Sequence, residues 1–139
     1  MRIYLAASFA EKDRMREIAR LLREKGHAVS STWHDLELPA GMRQADIEAD
    51  PVTATHHGRQ DLSEVRAAEA LVLFTEAPTT TGGKHVEHGY ALGLGKRLVI
   101  VGSPENVFQV AADQLFCKDE HDFFLLAERW ALMQRRPQA

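Results

Sequence analysis

The acidic residue Glu87 is the strongest candidate for a chemical role in this chain. It lies in the stretch TTTGGKHVEHGYALGLGKRLVIVG (79–102), with His85 and His88 on either side. The apolar spacing predicts a helix over about 84–95 with Glu87 in its first turn, where the partial positive charge of a helix N-terminus favours an ionised carboxylate. An ionised glutamate that faces a crevice can act as a nucleophile or a base. The alternative is that Glu87 only offsets the helix dipole.

The loop before this helix could hold an anion, because glycines let the backbone approach a ligand and a helix N-terminus offers free N–H groups. It matches no P-loop, which needs a glycine where Pro78 stands and a serine or threonine where His85 stands. The alternative is a flexible surface turn. The residues of this candidate pocket are Thr79, Thr80, Thr81, Gly82, Gly83 and Lys84.

The histidines form no recognisable metal motif. His85 and His88 are one loose group, and His56, His57 and Asp61 are another, but neither has a known ligand spacing. The first strand is followed by AASFAEK (6–12) rather than by the GxGxxG of a dinucleotide site. We therefore predict no metal ion and no cofactor.

The segments around Glu87 alternate between strand-like and helix-like patterns. This alternation predicts an α/β fold: an open, doubly wound, five-stranded parallel sheet with helices on both faces. We expect one domain over 1–136 and a frayed tail over 137–139. Residues 34–58 show no clear period and are expected to form a loop, either a lid or a solvated segment. Predicted strands cover 2–7, 27–33, 71–75, 97–101 and LFC (115–117), and predicted helices cover 11–26, 59–70, about 84–95, 103–114 and 120–136.

In such folds, ligands bind beyond the carboxyl ends of the strands. This rule places Ser8 and Phe9, after the first strand, and Trp33 and His34, after the second, beside the loop that precedes Glu87. Trp33 and His34 could stack on a ligand or hydrogen-bond to it. The alternative for a tryptophan there is core packing.

The composition argues against several functional classes. The chain has 139 residues, of which 45% are hydrophobic, and this suits one globular domain. A net charge of −3 and a pI near 6.1 give no support for nucleic-acid binding. No apolar run approaches the roughly 20 residues that span a bilayer, and the N-terminal apolar stretch is too short for a signal peptide. The single cysteine, Cys117, excludes an internal disulfide, so we expect a cytoplasmic protein without nucleic-acid or membrane partners.

Three stretches together resemble the nucleoside 2-deoxyribosyltransferase family, which includes the deoxynucleoside 5′-monophosphate N-glycosidases. They are IYLAASF (3–9), DLSEVRAAEALVLFTE (61–76) and GGKHVEHGYALGLGKRLVIV (82–101), and the similarity extends from Arg2 to about Phe108. The resemblance implies the same open α/β sheet. It also implies that Glu87 is the nucleophile, that Tyr4 hydrogen-bonds to Glu87, and that Asp61 works at the departing base.

The resemblance bears on the substrate and on the assembly as well. Thr81 stands where the transferases carry an aspartate, whereas the monophosphate hydrolases have a hydroxyl residue near that position. Thr81 therefore favours a nucleotide-type substrate and water as acceptor. The family completes each site from a neighbouring subunit, and the matching region, 106–114, offers Gln109 and Asp113 as candidates. We expect a homodimer or a dimer of dimers, also because the terminal helix is more apolar than one packed face requires.

The function that follows is cleavage of the N-glycosidic bond of a 2′-deoxynucleoside or its 5′-monophosphate. A covalent glycosyl-Glu87 intermediate would be resolved by water. Asp61 would protonate the departing base, so its pKa should be raised by burial or by proximity to Glu87. Three alternatives stay open: deoxyribosyl transfer to a second free base, a non-catalytic nucleotide-binding module, and a metal-dependent hydrolase that uses the histidines.

Overall fold

A five-stranded, all-parallel sheet forms the centre of the protein. The structure is a computed structural model that describes residues 1–77, 81–111 and 113–136. This sheet has the flavodoxin-like strand order, and it confirms the predicted single-domain α/β fold. The strands are β1 (Arg2–Ala6), β2 (Ala28–Val29), β3 (Ala70–Phe74), β4 (Arg97–Val101) and β5 (Leu115–Cys117), in the spatial order β2-β1-β3-β4-β5.

Helices cover both faces of this sheet. Successive strand residues point to opposite faces. Ile3 and Leu5 therefore pack in the core of α1 and α5, whereas Tyr4 and Ala6 pack in the core of α3 and α4. Tyr4 consequently faces the two helices that carry Asp61 and Glu87. The helices are α1 (Lys12–Glu24), α2 (Gln44–Ala49), α3 (Pro51–Ala67), α4 (Gly83–Gly93) and α5 (Glu120–Arg135).

The segment 34–58, which was expected to be a loop, is largely helical. It holds α2 and the first half of α3, so α3 begins at Pro51 rather than at 59. Asp50 caps α3, because its side chain accepts a hydrogen bond from the Thr53 N–H at 3.3 Å, and Pro51 occupies the first helical position. An acidic cap followed by proline is a standard helix start. The weak amphipathicity of the mostly exposed first turns hid this helix from the periodic pattern.

The predicted helix over 103–114 is wrong. The described part of this segment contains only a short 3₁₀ turn, Val107–Gln109. Side-chain oxygens accept backbone N–H groups here, as backbone carbonyls would in a helix. The Asn106 side chain accepts from the Phe108 N–H at 3.0 Å, and the Gln109 side chain accepts from the Glu105 N–H at 2.8 Å. Such local side-chain bonds compete with helix formation.

The second strand is shorter than the predicted 27–33. The Leu5 N–H donates to the Ser31 side-chain oxygen at 3.1 Å, so the backbone ladder with β1 stops there. A 3₁₀ turn, Trp33–Asp35, follows. The terminal helix ends at Arg135, close to the prediction, and the tail 137–139 lies outside the described residues. Among the helices described, none is long and apolar enough to cross a membrane.

Candidate active site

A cavity of about 380 Å³ opens at the carboxyl edge of the sheet, between the start of α1, helices α2 and α3, and the start of α4. It lies where the strand-end rule predicts a ligand. Nine of the residues predicted for the site line it, namely Ser8, Phe9, Trp33, Asp61, Thr81, Gly82, Gly83, Lys84 and Glu87. Tyr4 lies beneath it and is fully buried.

Glu87 and Tyr4 form the floor of this cavity. Glu87 belongs to the second turn of α4 and not to the first, because the helix begins at Gly83 and its first turn holds no acidic residue. The Glu87 Oε2 atom and the Tyr4 hydroxyl are both enclosed, and neither has a hydrogen-bond partner within the usual distance and angle. The two groups are nevertheless near enough to change each other's pKa. The carboxylate raises the pKa of Tyr4, and the hydroxyl acts to lower that of Glu87.

Burial raises the pKa of Glu87 to about 8, and the negative charges of Asp61 and Glu64 act in the same direction. The expectation that a helix N-terminus keeps this carboxylate ionised is therefore wrong. Desolvation penalises the charged form of a carboxyl group strongly, whereas the helix dipole acts within the first turn only. In the free protein at neutral pH, Glu87 holds a proton in most molecules.

Asp61 also titrates near neutrality. Burial raises its pKa to about 7, with the Glu64 carboxylate as the second cause. The expected effect of burial is confirmed, and Asp61 and Glu87 also interact through their charges, because the Asp61 carboxylate contributes to the raised pKa of Glu87. A carboxyl group with this pKa can hold a proton at pH 7 and still give it up, as a general acid requires.

Aromatic side chains form one wall of the cavity. The rings of Phe9 and Trp33 have centroids 6.3 Å apart with an interplanar angle of 41°. The Trp33 indole N–H donates to the Leu5 carbonyl at 2.7 Å, which fixes the ring against β1. The wall therefore offers two apolar surfaces next to the carboxylates, an arrangement suited to a flat heterocycle.

His34 does not reach the cavity. Its side chain is fully buried, and its Nε2 atom lies 3.0 Å from the Ser31 Oγ atom, which itself accepts from the Leu5 N–H. Burial lowers its pKa, which favours the neutral ring. These contacts hold the turn that follows β2. The neighbouring residue, Trp33, contributes to the wall of the cavity, and His34 does not.

The loop before α4 contributes Thr81, Gly82 and Gly83. Gly82 caps the helix with a φ of 82°, a left-handed conformation that favours glycine. Thr79 and Thr80, two further residues of the candidate anion pocket, lie outside the described residues. Lys84 lines the cavity, but its ammonium group is already engaged. It donates to the carbonyls of Phe74 and Ala77 and lies 3.0 Å from the Glu105 carboxylate.

Gln109 and Asp113 do not line this cavity. Gln109 is fully buried, and its amide nitrogen lies 3.0 Å from the His85 Nδ1 atom. Its side chain is thus used within its own chain, whereas Asp113 is exposed. Both belong to the segment after β4 that packs on α4. There a second depression is lined by residues that include Val86, Leu92 and Phe108.

Several lining residues were not predicted. Gln44, Ile47 and Glu48 come from α2, and His57 and Gly58 come from the unexpected first half of α3. The Asp50–Pro51 pair was the sequence signal that could have revealed this helix. Within 1–77, 81–111 and 113–136, no three side chains of histidine, cysteine, aspartate or glutamate converge as metal ligands would.

No protein-family model and no curated protein matches the chain. Several solved structures, in contrast, are similar to it. A 2-deoxyribosyltransferase from Bacillus psychrosaccharolyticus is 22% identical, with a TM-score of 0.66 over 88% of this chain and 90% of that one. The CMP N-glycosidase BcmB of Clostridium botulinum is 17% identical, with a TM-score of 0.59 over 91% of this chain and 97% of that one. The chain shares their fold. This is the fold that the sequence resemblance implies.

Proposed function

We propose that the protein cleaves the N-glycosidic bond of a 2′-deoxynucleoside or its 5′-monophosphate, with Glu87 as nucleophile and Asp61 as acid. The observation that carries this proposal is that both carboxyl groups line one cavity, with the buried Tyr4 hydroxyl next to Glu87. An N-glycosidase and a deoxyribosyltransferase share the fold. That similarity supports the proposal by analogy only, because one fold hosts many activities.

The first chemical step exchanges one bond for another at C1′ of the sugar. A Glu87 oxygen attacks C1′ as the C1′–N bond breaks, and the bonding electrons leave with the base. Asp61 gives its proton to the departing nitrogen. The negative charge of Glu87 stabilises the oxocarbenium-like transition state, and the Tyr4 hydroxyl donates a hydrogen bond that supports the ionised carboxylate.

The second step restores both carboxyl groups. Water attacks C1′ of the glycosyl-Glu87 ester and the Glu87 carboxylate leaves. Asp61, now ionised, takes a proton from the water. The products are the free base and the free sugar, or the sugar phosphate, and two displacements at C1′ give net retention. If a second base attacks instead of water, the same intermediate gives a new nucleoside.

The mechanism needs an ionised Glu87 and a protonated Asp61. Burial raises the pKa of both carboxyl groups, to about 8 for Glu87 and to about 7 for Asp61, which favours the proton on Asp61 and opposes the ionised form of Glu87. Positive charge that develops on the sugar favours the ionised Glu87, so progress of the reaction selects this form.

The charges on the wall bear on the 5′ end of the substrate. Glu48 and Asp35 line the cavity, with Asp35 3.7 Å from the Arg16 guanidinium, and Lys84, which also lines it, is paired with Glu105. Carboxylates repel a phosphate dianion, and the α4 N-terminus attracts it only in part. We therefore expect a free deoxynucleoside to have a higher kcat/KM than its own 5′-monophosphate.

A product assay tests the proposal. Deoxynucleosides and their 5′-monophosphates are incubated with the protein, with and without a second free base, and the products are separated by chromatography. Release of base with water as acceptor supports hydrolysis, and a new nucleoside indicates transfer. Activity that persists with a chelator excludes the metal-dependent alternative, and binding without turnover supports the binding module.

The Glu87→Ala variant provides the decisive comparison. It should lose turnover, since removing a nucleophile costs several kcal/mol in barrier, about a thousandfold or more in rate. The matched surface control is Glu128→Gln, which should retain activity. Glu128 lies on α5, away from the cavity, and pairs with Lys25. A Glu87→Ala protein with near-wild-type turnover on the whole panel would refute the assignment.

We also propose that the active assembly is a homodimer or a dimer of dimers in which the segment around Asp113 completes the neighbouring site. Exposed apolar side chains support this proposal: Val107, Phe108 and Val110 on the segment after β4, and Leu125, Leu132 and Met133 on α5. Light scattering at micromolar concentration tests it, and a monomer would contradict it. Mixing Asp113→Ala with Glu87→Ala subunits should restore part of the activity if sites are shared.

A further inference from the structure

Glu64 is a third carboxylate of this region, and the reaction proposed above does not use it. It lies on α3, three residues after Asp61, so the two side chains are neighbours on one helix face. Its carboxylate accepts a hydrogen bond from the Thr32 N–H at 2.9 Å and from the Thr32 hydroxyl at 2.8 Å. The Gln60 side chain donates to the same hydroxyl at 3.1 Å. Glu64 is therefore held in place by these hydrogen bonds.

The surroundings of Glu64 concentrate negative charge. Among the ion pairs of the described residues, none gives Glu64 a lysine, arginine or histidine partner, and both of its Thr32 donors are neutral. Its charge is therefore offset by dipoles rather than by a cation. The titratable groups on which the Glu64 charge acts are Tyr4 from β1, Asp61 from α3 itself and Glu87 from α4.

We propose that Glu64 is a positioning residue: its carboxylate, held by Thr32 and three residues from Asp61 on α3, favours the form of Asp61 that can donate a proton to the departing base. This inference rests on the proposed function. Asp61 touches the substrate, and Glu64 acts through Asp61. The contact with Thr32 has a second consequence, because it ties α3 to the residue before Trp33 and so links the acid to the aromatic wall.

The electrostatics of the site agree with this geometry. Glu64 is the second cause of the raised pKa of Asp61, after burial, and the last of the causes that act on Glu87. Glu64 lies three residues from Asp61 on the same helix, whereas Glu87 lies on α4, so removing the Glu64 charge should act more on the acid than on the nucleophile. The effect should be visible as a change in the alkaline limb of the pH profile.

The test compares two variants that separate charge from attachment. Glu64→Gln keeps the size of the side chain and an oxygen that can accept from Thr32, but it removes the charge. Thr32→Val removes the hydroxyl and leaves the charge of Glu64. The pH dependence of kcat/KM is measured for both, and the pKa of Asp61 is followed by NMR of its side-chain carboxyl carbon. Thermal melts confirm that each variant is folded.

Glu64→Gln should lower the pKa of Asp61 by about one unit and thereby lower the absolute kcat/KM on the alkaline limb, while the absolute kcat/KM on the acidic limb stays unchanged. Activity at alkaline pH, relative to that at acidic pH, should then fall about tenfold. Thr32→Val should change KM or kcat without moving the alkaline limb. An unchanged Asp61 pKa in Glu64→Gln overturns the inference, as does an equal shift in Thr32→Val.

Failure of the proposed function and failure of the role of Glu64 give different results. If the wild type turns over no member of the substrate panel, the proposed function is refuted and the catalytic role of Glu64 with it, while the NMR titration still reports the coupling. If the wild type is active and the NMR pKa of Asp61 does not respond to Glu64→Gln, the proposed function stands and the role of Glu64 is refuted.

Discussion

Replacement of Glu87 by glutamine should make the protein more stable than the wild type at alkaline pH. The glutamate is enclosed, and burial raises its pKa from the ordinary 4.5 to about 8 in the folded protein. Glutamine has nearly the same shape and cannot ionise. The variant therefore removes the cost of a buried charge while it keeps the packing of α4 against β1.

The direction in which stability changes with pH follows from proton linkage. Between these two pKa values, the folded chain holds a proton at position 87 that the unfolded chain has released, so the wild type loses stability as the pH rises. The cost is absent below the unfolded value of 4.5 and fully present above about 8. The complete shift corresponds to about 5 kcal/mol, as an upper bound. The advantage of the variant should grow by about 3 kcal/mol between about pH 5.5 and about pH 8.5.

Urea denaturation at several pH values measures this difference. With a slope of about 2 kcal/mol per molar urea, the midpoints of wild type and Glu87→Gln should separate by about 1.5 M more at the alkaline end. Glu128→Gln is the surface control of opposite sign, because Lys25 lowers the pKa of Glu128 and the wild type gains from that pair once it ionises. If the two midpoints stay equally far apart at all pH values, Glu87 is not desolvated in solution and the argument for its pKa fails.

Two further predictions concern the cavity floor and the sheet edge. Tyr4→Phe removes the hydroxyl that acts to lower the pKa of Glu87. The acidic limb of the profile of kcat/KM against pH should therefore move to higher pH by about one unit. If the acidic limb does not move, the hydroxyl does not support the ionised form of the nucleophile. Gly102→Ala should destabilise the fold by at least about 1 kcal/mol in a thermal melt, because Gly102 has a φ of 109° and an added Cβ would lie 2.5 Å from the Thr75 hydroxyl. The control Gly58→Ala, inside α3 and with open space around the new methyl group, should instead stabilise by about 0.5–1 kcal/mol, and equal effects of the two changes would contradict the steric argument.

Local patterns in the sequence were sufficient for the core of the fold. The runs at 71–75 and 97–101 are apolar apart from Thr75 and Arg97 at their ends, and the corresponding strands β3 and β4 lie inside the sheet with their interiors buried. A strand that is covered on both faces needs no polar positions, so its sequence reveals it without knowledge of its neighbours. The order of strands and helices then restricts the topology to a parallel, doubly wound sheet.

The same patterns failed where side chains compete with the backbone or where a helix is exposed. Asn106 and Gln109 bind backbone N–H groups of their own segment and replace the helix expected over 103–114. The first turns of α3 have no apolar stripe to reveal them, and the Asp50 cap with Pro51 was the only local sign. The wall that α2 and α3 give to the cavity was missed for this reason.

The sequence by itself determined which side chains can do chemistry here: Glu87, Asp61 and Tyr4 arise from residue types, spacing and a family resemblance. Only the tertiary structure determined the pKa values and the charge environment of these side chains. It encloses Glu87, raises the pKa of both Glu87 and Asp61, pairs Lys84 with Glu105, and places the unpredicted Glu64 beside Asp61. A pKa depends on burial and on charges that the fold brings close from distant parts of the chain. No local pattern carries that information.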